Sequence, residues 1–80
     1  MRAKVYVSPK KAVLDPQGKV VESGLHSLGY SKVNDVRVGK YIEIDLGNMP
    51  LSEADAQVDQ MCRRFLSNPV IEDYQYELIE

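Results

Sequence analysis

His26, Cys62 and a few carboxylates are the residues of this chain with chemistry to offer, and their spacing assembles no familiar reactive set. His26 falls in a helix-like stretch beside Glu22 and Lys19 with no nucleophile nearby. It reads as a surface or interface histidine rather than an acid–base catalyst. Cys62 sits in the middle of an apolar stripe, which predicts a buried thiol rather than a reactive one. One histidine and one cysteine give no Cys/His metal spacing, and a lone cysteine gives no disulfide within the chain. Glu43 and Asp45 are two apart on a strand and share a face. Asp55 and Asp59 are one helical turn apart. Both pairs read as solvated faces rather than as a general acid and its base.

Anion chemistry has a better opening. Ser8-Pro9-Lys10-Lys11 precedes a helix start, and helix starts attract phosphate. Here, however, Asp15 already places a carboxylate at that start. Asp15-Pro16-Gln17-Gly18 reads as a cap, with Asp15 accepting from orphan amides and Pro16 at the first helical position. Gly18 is the odd residue, since glycine in a helix costs about 1 kcal/mol relative to alanine. That cost points to close approach by another segment or a partner. Acylphosphatase-type catalysis on this strand order needs an arginine-bearing glycine-rich loop after the first strand, which is absent. Tyr6 and Tyr41 face outward from the expected sheet, as in RNA-binding sheets. Glu43 and Asp45 share Tyr41's face and repel phosphate.

These groups must be positioned by one small domain, 1–80. Eighty residues bury a modest core, and domains of this size are often completed by oligomerisation. The net charge of −2 argues against a general nucleic-acid binder. Residues 1–40 hold eight Lys/Arg against three acids, and residues 41–80 hold two against nine. That asymmetry predicts basic early strands beside acidic late ones, within one sheet or across a dimer. No apolar run reaches membrane-spanning length and the N-terminus lacks a signal-peptide core, so the expected compartment is the cytoplasm.

Alternation places a strand over residues 2–8, with Ala3, Val5 and Val7 on one face and Arg2, Lys4 and Tyr6 on the other. A helix follows from Pro16 to Leu28, stopped by Gly29, with Val20, Val21, Leu25 and Leu28 at helical spacing and Gly24 among them. Lys32–Leu46 reads as two strands around Gly39-Lys40. Parity speaks against a two-residue hairpin there, because it sets Val36 opposite Glu43 and Val38 opposite Tyr41. An odd loop or bulge near Gly39 is therefore expected. A second helix begins at Ser52, where Ser52-Glu53-Ala54-Asp55 resembles a capping box. Its apolar stripe is Ala54, Val58, Met61, Cys62, Phe65 and Leu66, and Ser67-Asn68-Pro69 ends it. Val70–Ile79 is the last strand. The order is β-α-β-β-α-β: an α+β, ferredoxin-like arrangement with two helices on one face of an antiparallel sheet, extended by dimerisation.

Together, Val5-Tyr6-Val7, Val13-Leu14-Asp15-Pro16-Gln17-Gly18, Leu25-His26-Ser27-Leu28-Gly29-Tyr30, Val33 through Lys40 with Ile42, and Asn68-Pro69-Val70-Ile71-Glu72 with Tyr74 resemble the PurS family. This is the small subunit of phosphoribosylformylglycinamidine (FGAM) synthase, and the resemblance spans essentially the whole chain. It implies a non-catalytic homodimer that bridges a large synthetase subunit (PurL) and a glutaminase subunit (PurQ). In such a complex, glutamine-derived ammonia drives ATP-dependent conversion of formylglycinamide ribonucleotide to its amidine. It implies no cofactor on this chain, with ATP and magnesium on the large partner, and no nucleic acid or membrane partner. The motif positions Asp15, Pro16, Gln17, Gly18, Arg37, Gly39 and Lys40 become candidates for the partner interface. Arg37 stands out because the sequence offers it no folding role. The alternative reading is a small-molecule-sensing dimeric regulatory domain of the same topology.

Overall fold

The computed structural model describes residues 1–80. Strand β1 (Arg2–Pro9) is followed by helix α1 (Pro16–Ser27), strand β2 (Lys40–Asp45), helix α2 (Leu51–Met61) with a π-helical turn (Cys62–Leu66), and strand β3 (Glu72–Ile79). The sheet is antiparallel in the order β2-β1-β3. The long alternating strand β1 takes the centre because its two faces serve different purposes. Ala3, Val5 and Val7 are buried against Val58 and Cys62 of α2, and Tyr74, Tyr76 and Leu78 pack around that cluster. On the other face, β1 cations lie between acidic edge strands. Arg2 Nη1 meets Glu43 at 3.4 Å and Lys4 is in register with both Glu43 and Glu77, while Lys10, just past the end of β1, places its Nζ 2.7 Å from Asp73. The predicted basic-beside-acidic pairing is therefore present within one sheet. These pairs are exposed and add little to stability.

Tyr6 and Tyr41 do share the outer face, and their rings stack with centroids 5.2 Å apart. Each hydroxyl is already given to a carboxylate, Tyr6 to Glu77 at 2.8 Å and Tyr41 to Glu43 at 2.7 Å. The Glu43 bond is the main reason that the Tyr41 phenol is pushed up to about 12.

Helix α2 is fastened by its acids. Tyr76 Oη donates to Asp55 at 2.9 Å, and Tyr74 Oη donates to Asp59 at 2.7 Å while accepting from Arg63 Nε at 3.3 Å. These two carboxylates are thus docking groups for β3 rather than a solvated face. The expected capping box is not made. The helix starts one residue earlier, at Leu51 after Pro50, with no side-chain cap. Asp55 is committed to Tyr76 instead.

Phe65 departs most from the expected stripe, being 88% exposed. An α-helix would turn both 65 and 66 inward below Cys62. The π-turn closes with Ser67 N–H on the Cys62 carbonyl at 3.0 Å, five residues apart, so the inward positions become Leu66 and the buried Ser67. Ser67 Oγ donates to the same carbonyl at 2.8 Å.

Helix α1 ends as expected. Gly29 takes φ +99°, and Tyr30 and Gly29 N–H return to the Leu25 and His26 carbonyls, both at 3.0 Å. The helix is nevertheless placed unexpectedly. No α1 residue belongs to the core cluster, and Leu14, Val20 and Leu28 are largely exposed. Nothing lies within 4 Å of a Cβ at Gly24. Residues 33–39, the remaining expected strand, run without turn or bend straight into β2 and pair with no neighbour. There is no hairpin at Gly39-Lys40. The parity conflict disappears because one unbroken run puts Val36, Val38, Ile42, Ile44 and Leu46 on one face. The chain is accordingly elongated, at 48 × 25 × 14 Å with a radius of gyration of 16.0 Å. A compact domain of this length would have about 12 Å.

In urea denaturation, Val58→Ala is expected to lower stability by about 2 kcal/mol, with the slope unchanged. Phe65→Ala, which a buried stripe would make cost about 3–5 kcal/mol, is expected to stay within about 0.5 kcal/mol of the parent.

Candidate functional site

The motif residues at the start of α1 and before β2 meet in space, around the Asp15 carboxylate. Asp15 leaves the helix at its N-terminal end, where Pro16 fixes the first turn without needing a hydrogen bond. One carboxylate oxygen, Oδ1, accepts Gly18 N–H at 3.0 Å, the predicted cap. The other, Oδ2, accepts Val38 N–H at 2.8 Å, twenty-three residues away. These two amides, Gly18 first, with the Arg37 charge nearby, hold the Asp15 carboxyl below the usual carboxylate range.

Gly18 now has its reason. A Cβ there would lie 2.1 Å from the Val36 carbonyl oxygen and 2.7 Å from Asp15 Oδ2. The close approach is by the chain's own segment 36–38, which crosses the first turn of α1. Gly39 has a related constraint at the root of that segment, where a Cβ would lie 2.2 Å from the Val7 carbonyl oxygen.

Arg37 completes the clasp. Its Nη1 donates to the Val13 carbonyl at 2.8 Å, its Nη2 donates to the Lys11 carbonyl, and its Nε lies 3.6 Å from Asp35. The sequence offered Arg37 no folding role. The structure gives it one, fixing the 10–14 approach to α1 against the returning strand. Lys40 is exposed and reaches the Leu66 carbonyl at 3.4 Å, away from the clasp. Pro16 and Gln17 remain outward-facing. With Val20, Val21 and Val38 they line an open apolar groove beside the clasp.

One tie escaped sequence reasoning. His26 Nε2 donates to the Val33 carbonyl at 2.7 Å, seven residues on, and fastens the far end of the same segment. Only its position one turn before the Gly29 stop hinted at this. Asp15, Arg37 and His26 together hold α1 and residues 33–38 as one arm. No group of three or more His, Cys, Asp or Glu gathers as metal ligands would, and Cys62 is buried with its thiol pushed up by desolvation. No helix is long and apolar enough to cross a membrane.

The family described as "PurS: Phosphoribosylformylglycinamidine (FGAM) synthase" matches residues 2–80. The chain belongs to the PurS family. It is 49% identical over 79 residues to the phosphoribosylformylglycinamidine synthase subunit PurS of Bacillus subtilis, covering 99% of this chain and 93% of that one. Among solved structures, B. subtilis PurS superposes with a TM-score of 0.81 at 51% identity, covering 99% and 98% of the two chains. PurS in the PurLQS structure from Thermotoga maritima gives 0.84 at 27% identity, covering 98% and 95%. PurS members are thus FGAM synthase subunits, and the resemblance of the Leu14–Gly18 string and the 33–40 run was to the right family.

Gly18→Ala is expected to loosen the clasp rather than strengthen α1. The ~1 kcal/mol of helix propensity gained is outweighed by a collision with backbone. Hydrogen exchange at Val38 N–H should accelerate, and an unchanged rate would contradict the geometry. Asp15 supplies a pH test. Its folded carboxyl sits below the unfolded value of about 4, so its contribution is whole above that pH and is lost as pH falls through the folded value. Asp15→Asn should therefore lower stability at pH 7 and flatten the acid limb of the stability curve in urea titrations.

Proposed function

We propose that this chain is a non-catalytic assembly subunit of an FGAM synthase complex, bridging a synthetase and a glutaminase subunit as a homodimer. The full-length likeness to PurS of the T. maritima PurLQS complex carries this reading. The build of the chain supports it. The motif residues are spent on backbone ties rather than on a reactive centre. An edge strand, an apolar groove and an unpacked helix are left for other chains.

In this reading ATP, magnesium and the nucleotide sit on the large subunit, the ammonia is released on the glutaminase, and the present chain shortens and shelters the path between them. Asp15, Gly18, Arg37 and Gly39 act inside the chain, giving the interface its shape. Pro16, Gln17 and Lys40 are the motif positions whose side chains remain available to a partner. No observation favours the small-molecule sensor.

Co-purification with the synthetase and glutaminase subunits tests the proposal. Glutamine-dependent amidine formation should fall at least tenfold when this chain is omitted, while activity with free ammonia is largely kept. Equal glutamine-dependent rates with and without the chain would end the assembly reading.

A further inference from the structure

We propose that the corner where residues 10–13 meet residues 68–72 is a docking point for another subunit of the complex, one that presents an apolar pocket with carboxylates at its rim. This rests on the assembly role proposed above and adds the place and the chemistry of the contact. Two sequence motifs that the clasp leaves unexplained, Ser8-Pro9-Lys10-Lys11 and Asn68-Pro69-Val70-Ile71-Glu72, meet there. Lys10 N–H donates to the Ile71 carbonyl at 2.9 Å, and Lys10 Nζ reaches Asp73 at 2.7 Å.

The second motif is a β-turn with one residue out of place. Ile71 N–H closes it on the Asn68 carbonyl at 3.0 Å, with Pro69 at the first corner position, which favours proline. The second corner, where glycine and short polar residues are usual, holds Val70. Asn68 braces it. Its Oδ1 accepts Val70 N–H at 3.1 Å, its carbonyl also accepts Glu72 N–H at 2.7 Å, and Glu72 Oε1 accepts Asn68 N–H at 2.7 Å. All of this order presents a valine that is 80% exposed, with Ile71 exposed beside it. A single exposed valine is ordinary. A valine at a braced turn corner breaks a local rule, and such conflicts mark functional positions.

The neighbouring turn is braced too. Val13 N–H closes residues 10–13 on the Lys10 carbonyl at 3.0 Å, and Arg37 of the clasp holds the Lys11 and Val13 carbonyls. Lys11 and Ala12 stand exposed at its corners. Lys10 is neutralised by Asp73, whereas Lys11 makes no ion pair within the chain, so one free positive charge accompanies the Val70 knob. A partner must therefore take up a small apolar knob and answer a cation, which selects an apolar pocket with an acidic rim. Because both turns are ordered beforehand, the contact costs little loop entropy. The adjoining cleft, lined by Tyr6, Ser8, Lys10, Pro69 and Asp73, offers a small ligand less. Lys10 and Asp73 neutralise each other there, and the Tyr6 hydroxyl is given to Glu77.

Binding of the full chain to purified synthetase and glutaminase subunits, followed by surface plasmon resonance, tests the corner directly. Val70→Asp should raise the dissociation rate and weaken binding to at least one of the two subunits by about tenfold or more. Lys11→Glu should slow association and reduce its salt dependence, with Lys11→Arg close to the parent. Val70→Asp and Lys11→Glu should both keep the parent's urea midpoint and sedimentation behaviour, because both side chains are exposed. Parent-like affinity of both variants, with the parent itself assembling, would overturn the docking corner and leave the assembly role standing. Variants that alter self-association or the urea midpoint as much as partner binding would also overturn it, because the corner would then serve the chain's own structure. A parent chain that joins neither subunit would overturn the assembly role and the corner together.

Discussion

The Asp15 carboxylate is the constraint on which the rest of this architecture turns. Each oxygen holds one backbone amide, Gly18 inside the helix start and Val38 on a strand far along the chain. A cap alone would need one acceptor. The second acceptor converts a helix terminus into a junction, and the junction explains its neighbours. Gly18 must lack a Cβ because the Val36 carbonyl passes over it, and Arg37 must reach back to Val13 and Lys11 to close the other side. Charge-assisted bonds of this kind are stronger than neutral ones, and here they bind two segments that share no hydrophobic core.

Because the clasp ties 33–38 to α1, it also withholds both from the chain's own sheet. The body is then left with three strands and one helix, and it is stabilised accordingly. A small apolar cluster of Ala3, Val5, Val7, Val58 and Cys62 is ringed by tyrosines whose hydroxyls are anchored on α2 acids. The π-turn belongs to this arrangement. By adding a residue to the last turn of α2 it buries Ser67 beneath Cys62 and turns Phe65 out to solvent. A molecule built this way leaves an edge strand, an apolar groove and a helix outside the core exposed at its surface.

Much of this was legible in the sequence, for identifiable reasons. Period-two alternation located β1 and assigned its faces, because the strand buries one face only, and it placed β3 with a start two residues too early. The Asp-Pro start and Gly29 stop placed α1 within one residue, because caps are local chemistry. The 33–46 region contained the right warning. Its parity excluded a tight hairpin, yet a bulge was inferred where the chain simply continues. Local patterning reports which residues share a face, whereas whether a strand folds back or runs on depends on what it can pair with. Phe65 failed similarly, since nothing in Cys62-Arg63-Arg64-Phe65 distinguishes a π-turn from an α-turn. Asp15 was read only as a cap and Arg37 as a candidate for partner contact, because Val38 N–H and the Val13 and Lys11 carbonyls lie more than twenty residues away and backbone groups leave no trace in side-chain spacing.

The central claim is that the chain passes straight through Gly39, carrying the arm away from its own sheet. Dipolar electron spin resonance on a chain labelled at Asp35 and Asp45, diluted into excess unlabelled chain, measures this within a single molecule. Ten residues of extended backbone predict a separation of about 30 Å between the labelled sites. A distance collapsing towards the ~5 Å of adjacent strands would mean that 33–38 folds back on β2, and would contradict the account.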